Sequence, residues 1–180
     1  MKRSLIALLG LVLMVGGLGA ESAAQSLKSL GLAVAHAPVE PIEFELASIK
    51  GAKIKLSSLK GKIVLLNFWA TWCGPCRKEM PSMQRMYDKL KSEGLEILAV
   101  DLMEDKRQVE GFAKELGLSF PILLDSDGKV GALYDARSIP TTYLLDRRGL
   151  LFSRAIGALE WDTPEMLKLL RRILRDGIGF

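Results

Sequence analysis

Ile63-Val64-Leu65-Leu66-Asn67-Phe68-Trp69-Ala70-Thr71-Trp72-Cys73-Gly74-Pro75-Cys76 runs from a continuous apolar stretch straight into the only two cysteines of a 180-residue chain. Residues 63–68 read as a strand buried on both faces, because an apolar run without polar alternation leaves neither face for water. A helix is expected to start at the cysteines, with Pro75 in its first turn, where a missing N–H costs little. That helix carries Met80, Met83, Met86 and Leu90 towards a stop near Gly94, and Pro81 inside it predicts a kink.

Working outward on the N-terminal side, Phe44 and Leu46, then Ile54 and Leu56, alternate with polar residues around Gly51 and predict a β-hairpin. On the C-terminal side, Leu95–Val100 reads as a strand and Gln108–Leu116 as a helix stopped by Gly117. Pro121–Leu124 follows as a short strand, then a polar turn, Asp125–Gly128, and a brief helical segment ending near Tyr134. Thr141–Leu145 and Leu150–Arg154 flank Asp146-Arg147-Arg148-Gly149 as a second hairpin. Met166, Leu169, Leu170, Ile173 and Leu174 then recur at helical spacing, with Asp162 or Thr163 as cap and Pro164 in the first turn. The order is hairpin, β-α-β-α-β, hairpin, helix: an α/β protein with a mixed central sheet covered on both faces.

The N-terminus is of another kind. Lys2 and Arg3 precede an uncharged apolar run, Leu5–Ala20, with small residues after it, which is the pattern of an export signal. Cleavage is expected after Ala20 or Ala24; the competing expectation is an uncleaved anchor that associates with the membrane through residues 5–20. Residues 1–24 are therefore assigned to a signal peptide or anchor, 25–41 to a linker broken by Pro38 and Pro41, and 42–180 to the folded domain. The formal net charge of +4 includes Lys2 and Arg3, and no basic tract interleaved with aromatics occurs, so nucleic-acid binding has no support.

Two cysteines in an exported chain usually mean a structural disulfide. Here the loop between them is so short that cross-linking it removes little unfolded-chain entropy. A bridge that stabilises weakly but opens easily suits redox chemistry. A zinc site needs about four ligands and there is no second cysteine pair. The only histidine, His36, lies in the expected linker, which argues against a copper-delivery module. Placing Cys73 at a helix start, with Arg77 and Lys78 near, is expected to lower its pKa and make it the nucleophile. Cys76, one turn later, is the expected resolving thiol. The Met residues at 80, 83 and 86 read as helix packing rather than a metal box.

The segment Asn67–Pro81, with Trp72-Cys73-Gly74-Pro75-Cys76 at its centre, resembles the active site of the thioredoxin superfamily. In particular it resembles the extracytoplasmic ResA/TlpA-type thiol–disulfide oxidoreductases. Ser138-Ile139-Pro140-Thr141-Thr142-Tyr143 is similar to that family's second motif, and Leu102–Asp125 to its α/β insertion. The resemblance implies a thioredoxin-like three-layer α/β/α fold and a protein-disulfide reductase with no cofactor beyond its redox-active cysteines. It implies a cis bond before Pro140, and client contacts from Trp72, Gly74, Pro75, Ile139 and Pro140. Trp69 could flank the site or serve the core. Asn67 stands where cytoplasmic thioredoxins carry a buried Asp, so the proton acceptor must lie elsewhere, and Glu79 matches a glutamate of the ResA subfamily. The implied partners are disulfides of exported proteins, with apocytochrome c as client, and a membrane thiol-transfer protein as electron donor. The implied location is the periplasm or another extracytoplasmic compartment. A general envelope reductase or isomerase, and a non-catalytic binding or metal-delivery module, are the alternatives.

Overall fold

The computed structural model describes residues 22–178. The chain forms α1 (Ala23–Ser29), β1 (Ala33–Val39), β2 (Glu45–Ala47), β3 (Lys53–Lys55), β4 (Ile63–Trp69), α2 (Gly74–Leu90) and β5 (Leu95–Leu102). It continues with α3 (Lys106–Glu115), β6 (Ile122–Asp125), α4 (Lys129–Leu133), β7 (Thr141–Leu145), β8 (Leu151–Ile156) and α5 (Pro164–Asp176). Six strands make one mixed sheet in the order β1-β8-β7-β4-β5-β6, and β2 and β3 pair as a separate hairpin. β4, β5 and β6 are parallel to one another, whereas β7 lies antiparallel to β4.

All seven residues of β4 and all eight of β5 are buried, as expected of central strands that are mainly apolar, with Asn67, Glu96 and Asp101 the polar residues among them. Ile63, Leu65 and Trp69 of β4 pack with α1, α2, α3 and α5 on one face of the sheet. Val64, Leu66 and Phe68 face the other way, towards Phe44, Leu56, Val130 and Tyr134, where the hairpin, a 3₁₀ turn at Leu56–Leu59 and the short α4 form a thinner layer. The three-layer α/β/α fold expected from the sequence is present, and Leu102–Asp125 supplies α3 and β6, which extend the parallel half of the sheet.

The start of α5 follows the expected capping chemistry. The Thr163 hydroxyl, rather than Asp162, accepts the Met166 N–H at 3.2 Å and starts α5. Pro81 lies inside α2, where it removes one intrahelical donor; Ser82 Oγ donates to Glu79 O at 2.8 Å in the same turn.

The expected linker over 25–41 is corrected: most of it is built into the fold. Ser22 accepts the Gln25 N–H at 3.1 Å while Gln25 Oε1 accepts the Ser22 N–H at 3.0 Å, a capping box that starts α1. Leu27 and Leu32 are buried in the main core. Residues 33–39 add β1 to the edge of the sheet against β8, where Pro38 is tolerated because an edge strand need not donate on both sides. His36 is exposed on this edge. The export segment expected over 1–24 lies outside the described residues except for Ser22–Ala24, which open α1. Among the described residues no helix is long and apolar enough to cross a membrane.

Candidate active site

β4 ends at Trp69, and the chain turns through Ala70–Trp72 into α2, whose N-cap is Cys73. Cys73 and Cys76 are joined as a disulfide, with Cα atoms 5.3 Å apart. The Cys76 N–H points at Cys73 Sγ, 3.2 Å away, so the sulfur occupies the position of a capping oxygen. When the bridge is reduced, that amide and the positive end of the 17-residue helix favour negative charge on this sulfur. Cys73 is 5% exposed and Cys76 0%, so an incoming partner meets Cys73 first. Arg77 contributes less than its position suggests. Its guanidinium stacks 4.8 Å from the Phe112 ring and reaches Thr71 O and Glu115, both at 3.4 Å.

The second expected motif converges on the same point. The Ile139–Pro140 peptide is cis, and Ile139 O lies 3.7 Å from Cys73 Sγ. Pro140 is buried and Ile139 half-buried, whereas Gly74, Pro75 and Trp72 are exposed, Trp72 at 66%. Trp69 does not flank the surface. It is fully buried, with its ring 5.1 Å from that of Phe112. All of the sequence-predicted contact residues therefore gather around the disulfide, and Trp69 belongs to the core beneath it.

Glu79 lies one turn after Cys76 and is 1% exposed. Its Oε1 accepts from Asn67 Nδ2 at 3.0 Å and its Oε2 from the Leu159 N–H at 2.9 Å. Burial raises its pKa from 4.5 to about 7, against these hydrogen bonds and the nearby Trp161 indole, which favour the charged form. Asn67 is fully buried, and its Nδ2 also donates to Thr142 Oγ1 at 2.9 Å, so one amide ties β4 to α2 and β7. Its Oδ1 has no partner among the described residues. A buried carboxyl that titrates near neutrality, one helical turn from the cysteines, is the arrangement expected of a proton acceptor.

Sequence reasoning did not identify Thr142, Leu159 or Trp161 as parts of this environment. Thr142 could have been found from the antiparallel register that sets it opposite Asn67. The loop before α5, which supplies Leu159 and Trp161, carries no local signal. Thr71 and Glu104 were also missed: Glu104 Oε2 accepts the Thr71 N–H at 2.5 Å and Oε1 the Thr71 hydroxyl at 2.6 Å. Among the described residues no group of three or more His, Cys, Asp or Glu is arranged to hold a metal.

The fold and this cysteine pair define a thioredoxin-like thiol–disulfide oxidoreductase. The chain belongs to the AhpC/TSA family, whose pattern matches residues 38–153. It is 41% identical over 134 residues to the thiol-disulfide oxidoreductase ResA of Bacillus subtilis, covering 74% of this chain and 73% of that one. The ResA of Bacillus cereus is 42% identical over 129 residues, covering 72% and 73%. Among solved structures, StoA of Bacillus subtilis superposes with a TM-score of 0.62 at 34% identity, over 73% of this chain and 99% of that one.

Proposed function

We propose that the protein reduces disulfides of exported proteins outside the cytoplasm, with Cys73 as nucleophile and Cys76 as resolving thiol. The Cys73 thiolate attacks one sulfur of the client disulfide, forming a mixed disulfide and releasing the other client sulfur as a thiolate. The Cys76 thiolate then attacks Cys73 Sγ, which re-forms the Cys73–Cys76 bridge and releases the second client sulfur as a thiolate. Two electrons pass from the protein to the client, and a membrane thiol-transfer protein restores the dithiol.

Glu79 holds the proton that Cys76 must give up, because Asn67 cannot titrate and no other carboxyl is bonded to Asn67 among the described residues. Trp72, Gly74 and Pro75 form the outer contact surface, and the Ile139 carbonyl beside Cys73 is available to an extended client segment. The observation that carries the reading is the graded burial of the two sulfurs at the start of α2. Apocytochrome c is the favoured client, on the strength of the likeness to ResA.

The test is trapping in a cell envelope with Cys76→Ser, which leaves the mixed disulfide on Cys73 unresolved. Recovery of c-type apocytochromes supports the specific reading, and recovery of many unrelated exported proteins supports a general reductase instead. A reduced wild-type protein that leaves the disulfide of a Cys-x-x-Cys-His peptide intact argues against both.

A further inference from the structure

Asp101 lies near the end of β5, opposite Trp69 of β4 and Leu124 of β6, on the sheet face shared with Ile97 and Ala99. It is fully buried, and neither of its carboxyl oxygens receives a hydrogen bond from an N–H or O–H donor among the described residues. The group within hydrogen-bonding reach is another acid, the carboxyl of Glu104. Two ionised carboxylates have no proton to share, so this contact is a hydrogen bond only when one of them holds a proton.

Glu104 acts as an acceptor on both oxygens, and its Oε2 keeps a lone pair free for one donor more. Its Oε2 takes the Thr71 N–H, and its Oε1 takes the Thr71 hydroxyl and the Gln108 amide. Thr71 stands two residues before Cys73, and the Cys73 N–H is bonded to Ala70 O at 3.2 Å. The acid pair thus sits directly behind the turn that presents the reactive sulfur.

We propose that Asp101 is a positioning residue of the active site: as a neutral acid it donates its proton to Glu104, which in turn clamps the Thr71–Cys73 turn. Burial and the neighbouring acids Glu104 and Asp125 hold Asp101 in this form, raising its pKa to about 9. Asp125 is the nearest acid on the opposite face of the sheet, beside Leu102, with its oxygens occupied by the Val130 and Gly131 N–H groups. From α2, Arg77 reaches Thr71 O, and Glu115 of α3 shares that guanidinium. Loss of the Asp101 proton sets two buried negative charges against each other, and Glu104 must then release Thr71. Disulfide exchange is therefore expected to decline at alkaline pH on a limb that belongs to Asp101.

The inference rests on Cys73 being the attacking thiol, so the experiment begins with that reaction. Reduced full-length protein is mixed with oxidised glutathione, and the rate of bridge formation is followed from about pH 6 to about pH 10.5. If the wild type shows no exchange, the proposed function fails before Asp101 is tested. With exchange present, the wild-type rate is expected to climb as Cys73 ionises, then fall by up to about tenfold per pH unit above the Asp101 value. Asp101→Ala is expected to slow the neutral-pH reaction about tenfold, the effect of one lost hydrogen bond. Asp101→Asn, which keeps an N–H donor facing Glu104 and cannot titrate, is expected to rescue that rate and abolish the alkaline fall. An Asp101→Asn profile with the wild-type alkaline limb overturns the proposal, as does an Asp101→Ala profile identical to the wild type. Folding of each variant is checked by its circular dichroism. Should Asp101→Ala fail to fold, the Asn variant alone decides.

Discussion

Replacing Glu79 with Gln removes a proton-binding group while keeping the size of the side chain. In the oxidised, folded protein the Glu79 carboxyl is raised from 4.5 to about 7, with burial as the largest cause. In the unfolded chain it returns to the lower value. Below the unfolded value both states hold the proton, and Glu79 adds no pH dependence. Between the two values the unfolded chain releases its proton while the folded chain retains it. Stability then falls as pH rises, by about 1.4 kcal/mol per unit. Above the folded value both states are ionised, and the full loss of about 3 kcal/mol is in place. Gln at this position has no such dependence. Its amide can also donate to the unpartnered Asn67 Oδ1 once that amide turns over. Glu79→Gln is therefore expected to gain about 3 kcal/mol on the wild type between acid and mildly alkaline solution. Urea titrations of both oxidised proteins across this range measure it, because the cysteines do not titrate in the bridged form. A stability difference that stays constant with pH would refute the reasoning.

Leu27→Ala should cost about 2–5 kcal/mol in the same assay, since Leu27 is fully buried where α1 joins the core; a change under about 0.5 kcal/mol would mean that α1 is not docked. Met103 holds a φ of 60°, and its side chain is 66% exposed, so Met103→Gly should relieve backbone strain and add about 1 kcal/mol of stability. A loss instead would show that the packing of the methionine side chain outweighs the strain. Trp72→Ala should leave stability within about 0.5 kcal/mol, because the ring is largely exposed, and slow attack on peptide disulfides more than on a small one. Equal slowing on both would remove Trp72 from the client surface.

The central strands and the cysteine helix were legible because each obeys one strong local rule: β4 is apolar on both faces apart from Asn67, and α2 begins at a proline-bearing turn. The Cys73–Pro140 convergence was legible only through the resemblance, since the two motifs lie far apart in the chain and meet through the β4–β7 register. The structure within residues 25–41, expected as a linker, was missed for a definable reason. The Ser22–Gln25 capping box is a sequence signature, but it adjoins the apolar N-terminal run, and Pro38 and Pro41 mask an edge strand. Glu79 was read as a proton carrier, yet its surroundings could not be. Asn67 reaches it from β4 and Leu159 and Trp161 from the loop before α5, while Thr142 of β7 holds Asn67. The buried Asp101–Glu104 pair was invisible because acids in sequence read as surface. Only the sheet register and helix packing remove them from water.

The most direct test of the account is the intact mass of Cys76→Ser and Cys73→Ser after each, in reduced form, meets a Cys-x-x-Cys-His peptide disulfide. The account predicts a peptide adduct on Cys73 in the Cys76→Ser protein and little or none in the Cys73→Ser protein, whose remaining sulfur is buried. An adduct that forms as readily on Cys76, or no adduct on Cys73, would contradict it.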